Sequence, residues 1–163
     1  ATVNDVSLGF SLCSPVVTLN GVDVTDEIRS ERVSLASSKI AKYTSVRKKL
    51  IDFQRKFSRG HGLIADGRDM GSVIFPSADL KIFLTASVKV RANRRYKELI
   101  ARGENVSLRD LERRIALRDK GDRERKVSPL VAGEGAIVID ASEKSVNEVK
   151  KEIIHYFDLI PSV

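Results

Sequence analysis

The second half of the chain alternates short apolar runs with longer amphipathic ones, and this alternation restricts the fold more than any other feature. Residues 80–84 (LKIFL) and 136–140 (AIVID) each have the length and composition of one buried strand. Ser87, Ser107 and Ser145 stand where helix N-caps are expected, and their helices are predicted at 87–101, 107–125 and 145–157. Strands that alternate with helices predict an α/β fold with a parallel sheet.

Residues 63–65 (LIA) form a shorter apolar run, which we predict to be a third buried strand. Arg68 and Asp69 follow it after Asp66 and Gly67. Ligands of parallel sheets bind beyond the carboxyl ends of the strands. A charged pair at the end of a buried strand must be ion-paired or must bind a ligand. Arg68 and Asp69 are therefore candidate ligand-binding residues.

The N-terminal region has a different pattern, with short strands predicted at 6–11, 15–19 and 22–24. Asn20-Gly21 separates the last two runs and is a strong signal for a β-hairpin. Ser30 is expected to cap a helix that reaches about residue 41. These features predict a small antiparallel unit at the start of the chain.

The positive charge of the chain is concentrated in the two central helices. The formal net charge is +7. Residues 87–127 contain 14 Lys and Arg against 7 Asp and Glu, a difference of +7, so the rest of the chain is neutral. This concentration favours a polyanionic partner, and a pair of arginine-rich helices suits a lid over a triphosphate. Salt-bridged, solvated helix faces are the simpler interpretation, and the pattern alone leaves both open.

Within these helices, Arg118, Asp122 and Arg125 stand at i, i+4 and i+7 and share one helical face. An acid between two arginines suits a ligand that carries both hydroxyls and phosphate. An intrahelical series of ion pairs, each worth about 0.3–0.5 kcal/mol, explains the same spacing.

Features that are rare or missing in the sequence disfavour several classes of protein. No run of about 18 apolar residues is present, and the N-terminus lacks the pattern of a signal peptide. One cysteine and two distant histidines predict neither an internal disulfide nor a structural zinc site, and they fit the cytoplasm. An aromatic content of 6% with no tryptophan disfavours a nucleic-acid-binding protein.

Several stretches closely resemble bacterial cytidylate kinase, a nucleoside monophosphate kinase. They are GVDVTDEIRSERVSLASSKIAKYTSVRKKL, GLIADGRDMGSVIFPSADLKIFLTAS, RANRRY and RDKGDRERKVSPL. The resemblance covers essentially the whole chain and implies a P-loop-type α/β fold. It implies that residues 1–45 are the nucleoside-monophosphate-binding insert. Residues 46–163 would then be the remainder of the kinase core, with lid helices at about 88–125.

The resemblance also implies an activity, the transfer of the γ-phosphoryl group of ATP to CMP or dCMP with Mg²⁺, by a cytoplasmic monomer. Matched residue by residue, it implies that Ser38, Arg47 and Asp69 read the cytosine. An aspartate accepts a hydrogen bond from the exocyclic amine of cytosine, which uracil lacks, so Asp69 is expected to discriminate against UMP.

The same matching implies roles for residues of the two central helices. Arg118 and Asp122 would hold the ribose, and Arg68 and Arg125 would clamp the CMP phosphate. Arg94 and Arg95 would belong to the lid over the ATP phosphates. Gly121 stands where many members of the family carry another arginine, which weakens the lid assignment.

One family motif does not occur among these 163 residues. None of the ten glycines begins a G-x-x-x-x-G-K-[ST] phosphate-binding loop. The resemblance places that loop, with the central strand of the sheet, upstream of residue 1, about 50 residues before Asp23. We therefore expect this sequence to be a fragment of a kinase. The alternatives are a CMP-binding module without catalysis and, less favoured, a nucleic-acid-binding protein.

Overall fold

The computed structural model describes residues 8–10, 16–41, 43–58, 62–124 and 128–161. The backbone divides into two compact units, Ala1–Leu63 and Ile64–Val163. This division does not test whether residues 1–45 are an insert and residues from 46 the kinase core. That boundary stays a prediction.

The first unit begins with a three-stranded antiparallel sheet in the order β1-β2-β3. Its strands are β1 (Leu8–Phe10), β2 (Val17–Leu19) and β3 (Val22–Asp23). Asn20 and Gly21 join β2 to β3 with φ values of 51° and 81°. Positive φ at both central residues defines the type I′ turn, whose twist matches the strands that flank it. The hairpin predicted at this dipeptide is confirmed.

Two helices complete the first unit, with a short 3₁₀ turn at each end of the pair. The helices are α1 (Glu31–Ile40) and α2 (Thr44–Arg55), and the 3₁₀ turns are Glu27–Arg29 and Lys56–Ser58. The hydroxyl of Ser30 accepts a hydrogen bond from the backbone N–H of Val33 at 3.3 Å, so the predicted cap is confirmed.

The second unit holds the parallel sheet. Its elements are a π-helical turn (Met70–Ile74), β4 (Ile82–Thr85), α3 (Val88–Ala101), α4 (Leu108–Glu124), β5 (Ile137–Asp140) and α5 (Val146–Asp158). β4 and β5 are parallel neighbours, with Ile82 opposite Ile137 and Thr85 opposite Asp140. The connection between them contains α3 and α4. Two of the predicted strands, their parallel pairing and the helical crossover are therefore confirmed.

Side-chain caps and a small apolar core place the helices of this unit. The hydroxyl of Ser87 accepts from the N–H of Val90, and Ser145 and Glu148 form a reciprocal capping box at the start of α5. α3 and α4 pack around Ala92, Leu99 and Leu111, which are all less than 9% exposed. The packing aligns the two arginine-rich helices against each other.

The strand predicted at residues 63–65 is wrong. These residues have no regular secondary structure, Leu63 is 43% exposed and Ile64 is fully exposed. A strand requires a neighbour for its backbone hydrogen bonds. Among the described residues, the parallel sheet contains only β4 and β5, so no strand pairs with this run.

The sheet also presents apolar side chains to solvent. Leu84 on β4 is 55% exposed and Val138 on β5 is 60% exposed. Because Leu84 is opposite Ile139 and Val138 is opposite Phe83, the two exposed side chains lie on different faces of the sheet. Parallel sheets are ordinarily covered on both faces. In the part of the chain that the structure describes, no helix has the length and apolar character needed to span a bilayer.

Candidate functional site

Asp69 lies at the entrance of a rare backbone turn. The N–H of Ile74 donates to the carbonyl of Asp69 at 3.2 Å, and the N–H of Phe75 donates to that of Met70 at 2.7 Å. These i→i+5 bonds define a π-helical turn, a feature common at functional sites. Gly133 packs against this turn, and a Cβ added at Gly133 would come within 2.6 Å of the Gly71 carbonyl oxygen. Asp69 itself is only 9% exposed.

The inward face of α4 changes from apolar to acidic along its length. Leu111 and Ile115 belong to the core with α3, and Asp119 and Asp122 continue the same stripe at i+4 and i+3 spacing. The two carboxylate side chains are 8% and 9% exposed. Buried carboxylates require charged or hydrogen-bonded partners, and arginines supply them here.

Arg68 connects the segment before the π turn to both of these carboxylates. Its Nη1 atom forms a salt bridge with Oδ2 of Asp122 and lies 3.7 Å from Oδ1 of Asp119. Arg118, one turn before Asp122 on α4, places its Nε atom 3.9 Å from the same Oδ2. Arg68, Arg118 and Asp122, which were predicted from the sequence as site residues, thus lie together in the structure.

A third arginine, Arg91 on α3, binds Asp119 through its two terminal guanidinium nitrogens. Nη1 donates to Oδ1 at 3.1 Å and Nη2 donates to Oδ2 at 2.5 Å. Its Nε donates to the carbonyl oxygen of Ala86, directly after β4, at 2.9 Å. We call Arg68, Arg91, Arg118, Asp119 and Asp122 the Arg68 cluster.

The Arg68 cluster has an excess of positive charge. The cluster contains three arginines and two carboxylates, so the formal charges of these five groups sum to +1. The carboxylates are buried, whereas the side chains of Arg68, Arg91 and Arg118 are 31–43% exposed. An incoming anion therefore meets guanidinium groups, which bind phosphate oxygens in pairs and keep their charge at all physiological pH values.

The carboxyl ends of β4 and β5 are joined by a second set of polar contacts. The hydroxyl of Ser142 accepts from the N–H of Ser87 at 2.9 Å and donates to Oδ1 of Asp140 at 2.6 Å. The hydroxyl of Ser142, and after it the Ser142 backbone N–H, lowers the pKa of the Asp140 carboxyl below its ordinary value. These contacts fix the start of α3 at the edge of the sheet.

The arginines predicted to form the lid contact other parts of the unit. Nη2 of Arg94 donates to the carbonyl of Ala141 at 2.7 Å, and Arg95 forms a salt bridge with Glu98 at 2.8 Å. Arg91, Arg94 and Arg95 therefore share a helix but contact three different partners. The lid role of Arg94 and Arg95 stays a prediction.

Of three other predicted site residues, two belong to the first unit and one falls outside the described residues. Ser38 is half-buried on α1, in the first unit. Arg47 on α2 donates from Nη1 to the carbonyl of Ala41 at 3.3 Å, also in the first unit. Arg125 falls outside the described residues, so its predicted contact with phosphate stays a prediction.

The described residues do not form a site that fits a resident metal ion. Among the described residues, no group of three or more His, Cys, Asp or Glu side chains has the geometry to hold one. The buried carboxylates of Asp119 and Asp122 are both paired with arginines.

The family of the chain is decided by its match to a family model. The model described as cytidylate kinase matches residues 2–159, nearly the whole chain. The chain belongs to the cytidylate kinase family. This membership confirms the resemblance noted from the sequence and the predicted α/β nucleoside monophosphate kinase fold.

Curated relatives agree with this family. A cytidylate kinase of Dichelobacter nodosus is 43% identical over 97% of this chain and 74% of its own length. Those of Nitrosococcus oceani and Methylococcus capsulatus are 47% and 50% identical, over 85% and 78% of the chain and 61% and 57% of their own lengths. The chain thus spans between 57% and 74% of the length of these cytidylate kinases.

Sequence reasoning missed the roles of Asp119 and Arg91 in this cytidylate kinase family member. The sequence patterns assign no role to Asp119 or to Arg91. A signal was present in the apolar stripe of α4, because Leu111 and Ile115 lead at helical spacing into Asp119 and then Asp122. Acids that continue a core stripe are expected to be buried and paired.

Proposed function

We propose that this chain carries the acceptor-nucleotide site of a cytidylate kinase, which transfers the γ-phosphoryl group of ATP to CMP or dCMP and yields CDP or dCDP. The observation that carries the proposal is the meeting of Arg68 with Asp122. These residues lie 54 positions apart in the sequence. Their acceptor-site roles come from the sequence resemblance to the family.

The phosphate of CMP is assigned to Arg68, together with Arg125. Arg68 is about one third exposed and belongs to a cluster with one excess positive charge, so a dianion improves its charge balance. Phosphoryl transfer requires positioning and charge neutralisation rather than a covalent intermediate on the protein. An arginine-rich site with few histidines suits that chemistry.

The ribose is assigned to Asp122 and Arg118. A carboxylate accepts hydrogen bonds from the hydroxyl groups of a sugar, and Oδ2 of Asp122 contacts both Arg68 and Arg118. The side chain of Arg118 is 43% exposed, which leaves it accessible to a ligand.

The cytosine is assigned to Asp69, Ser38 and Arg47. Asp69 is buried at the entrance of the π turn, where an acceptor for the exocyclic amine is well shielded from water. A buried acceptor that loses its donor when UMP binds is costly to leave unpaired, and this cost is the basis of selectivity. Ser38 and Arg47 belong to the first unit and are assigned by family matching alone.

The donor side of the reaction is assigned to the remainder of the full-length protein. The G-x-x-x-x-G-K-[ST] loop that holds ATP phosphates does not occur in these 163 residues. The exposure of Ile64 and Leu84 supports the proposal that a further strand of the full-length protein pairs beside β4. Mg²⁺ is proposed to arrive bound to ATP, with Arg94 and Arg95 near its phosphates. We place the enzyme in the cytoplasm as a monomer.

The test is an ATP-dependent CMP phosphorylation assay on both the full-length protein and this 163-residue chain, with CMP and UMP binding measured by calorimetry. We expect turnover by the full-length protein and CMP binding at least tenfold tighter than UMP binding. CMP binding without turnover in the full-length protein would favour the second candidate, a non-catalytic CMP-binding module. The lack of a phosphate-binding loop in these residues is the observation that keeps this candidate open. Failure to bind CMP would overturn both.

A further inference from the structure

We propose that Arg91 and Asp119 are positioning residues, which hold Arg68 in the orientation that receives the phosphate of CMP. The proposal deepens the proposed function and rests on it. Arg91 and Asp119 contact each other and Asp119 contacts Arg68, so they act on the nucleotide through Arg68.

The first step in this arrangement is the contact that attaches Arg91 to the residue after β4. Nε of Arg91 donates to the carbonyl of Ala86 at 2.9 Å, and Ala86 follows β4 directly and is 8% exposed. Arg91 itself begins the second turn of α3, whose start is fixed by the contact between Ser87 and Ser142. The guanidinium of Arg91 is therefore attached to a buried residue that directly follows a strand.

The second step is the transfer of this orientation to Asp119. The remaining nitrogens of Arg91 bind both carboxylate oxygens of Asp119, at 3.1 Å and 2.5 Å. A two-point contact between a planar guanidinium and a planar carboxylate restricts rotation as well as position. The Asp119 side chain is 8% exposed, so solvent does not compete strongly for it.

The third step is the contact with Arg68. Oδ1 of Asp119 lies 3.7 Å from Nη1 of Arg68, on the same guanidinium nitrogen that contacts Asp122. Asp122 is assigned to the ribose, so its oxygens have a second task when the nucleotide is bound. Asp119 has no such task, and we infer that it keeps Arg68 oriented while Asp122 is engaged with the sugar.

A purely structural role for the same contacts predicts something different. If the pair of Arg91 and Asp119 only joins α3 to α4, its loss disturbs the whole unit and weakens every ligand alike. If the pair positions Arg68, its loss weakens ligands that carry a phosphate and spares those that do not. CMP and cytidine differ only in that phosphate, so the ratio of their dissociation constants separates the two roles.

The experiment measures CMP and cytidine binding by the full-length protein and its Asp119→Asn, Arg91→Lys and Arg113→Gln variants. Calorimetry serves for CMP, and NMR titration serves for weak cytidine binding. Asp119→Asn keeps the shape of the side chain but removes its charge. Arg91→Lys keeps the charge but loses the two-point contact. Arg113 is the matched control, because it pairs with exposed Asp110 on the same helix.

We expect Asp119→Asn to weaken CMP binding about tenfold and cytidine binding less than about twofold. Arg91→Lys is expected to weaken CMP binding more than cytidine binding as well, but by a smaller factor. Arg113→Gln is expected to change neither. An equal loss of affinity for both ligands, or no loss for CMP, would overturn the positioning role while leaving the proposed function intact. If Asp119→Asn does not fold, Arg91→Lys decides by the same ratio. A wild-type protein that binds no CMP would overturn the proposed function and, with it, this role.

Discussion

The charged residues of α4 occupy two environments within one helix. Asp119 and Asp122 face inward, are less than 10% exposed and contact arginines from outside the helix, Arg91 and Arg68. Asp110 and Glu124 face outward, are 52% and 65% exposed, and pair with cations three or four residues away on the helix surface. The two groups are chemically alike and differ in their burial and in where their partners lie.

This difference shows what charge density in a sequence can and cannot indicate. Exposed pairs at i, i+3 or i+4 stabilise a helix by about 0.5 kcal/mol or less, and salt screens them. A buried carboxylate requires a permanent partner from elsewhere in the fold, so it fixes the geometry of that partner. The arginines of the Arg68 cluster are oriented in this way, whereas Arg113 on the outer face pairs with a carboxylate that is itself exposed.

The largest expected effect follows from removing Asp122. Asp122→Ala leaves Arg68 without its closest carboxylate partner and removes the proposed ribose ligand. Breaking one partner of a buried pair typically costs about 3–5 kcal/mol. We expect a loss of about 3 kcal/mol in the free energy of unfolding, measured with urea, and loss of detectable CMP binding. A stability within about 0.5 kcal/mol of wild type would show that the inward face is no different from the outward one.

Arg118→Gln tests the residue that stands between the two environments. Its side chain is 43% exposed and its Nε lies 3.9 Å from Asp122, so its contribution to stability is expected to be below about 0.5 kcal/mol. As a proposed ribose ligand, however, its loss should weaken CMP binding about tenfold. Calorimetry and urea unfolding measured on the same variant separate these effects. Loss of stability without loss of affinity would favour the simple ion-pair interpretation of the Arg118 and Asp122 spacing.

Local signals in the sequence predicted much of the fold. The caps at Ser87 and Ser145 and the Asn20-Gly21 turn are chosen by neighbouring backbone geometry, which a short stretch of sequence contains. The strand at residues 63–65 was mispredicted because its formation depends on a pairing partner that local pattern cannot supply.

The candidate site was predictable only in part for a related reason. Arg68 was singled out by its place after a predicted strand, and Arg118 and Asp122 by their helical spacing, which an ion-pair series explains equally well. Their roles in the site came from the family resemblance. The contact of Arg91 with Asp119 spans 28 residues and depends on how α3 packs against α4. No spacing rule within either helix contains that information, although the apolar stripe that ends at Asp119 indicated which face would be buried.

A smaller effect is expected from Asp140, an exposed carboxylate bound by Ser142. The Ser142 hydroxyl and N–H lower the pKa of this carboxyl. A lowered folded-state pKa adds stability that is fully present above the ordinary pKa, near 3.8, and is lost as the pH falls through the folded-state value. Asp140→Asn should therefore lower the Tm at pH 7 slightly, and the difference from wild type should shrink below about pH 4.

The control for this prediction removes the hydroxyl that lowers the Asp140 pKa. In a Ser142→Ala background, Asp140→Asn is expected to change the Tm less at pH 7, because the first of the two hydrogen bonds is already absent. A Tm difference that stays constant from pH 7 to pH 3 would contradict the assignment.

The smallest effect is expected on the outward face of α4, at the pair of Asp110 and Arg113. The two side chains are 52% and 71% exposed and their closest atoms lie 3.2 Å apart. Asp110→Asn with Arg113→Gln should change the free energy of unfolding by less than about 0.5 kcal/mol, and salt should reduce even that difference. CMP affinity should be unchanged. A tenfold loss of CMP affinity in this double variant would show that the charge of both faces acts on the nucleotide, and burial would then no longer separate the site from the surface.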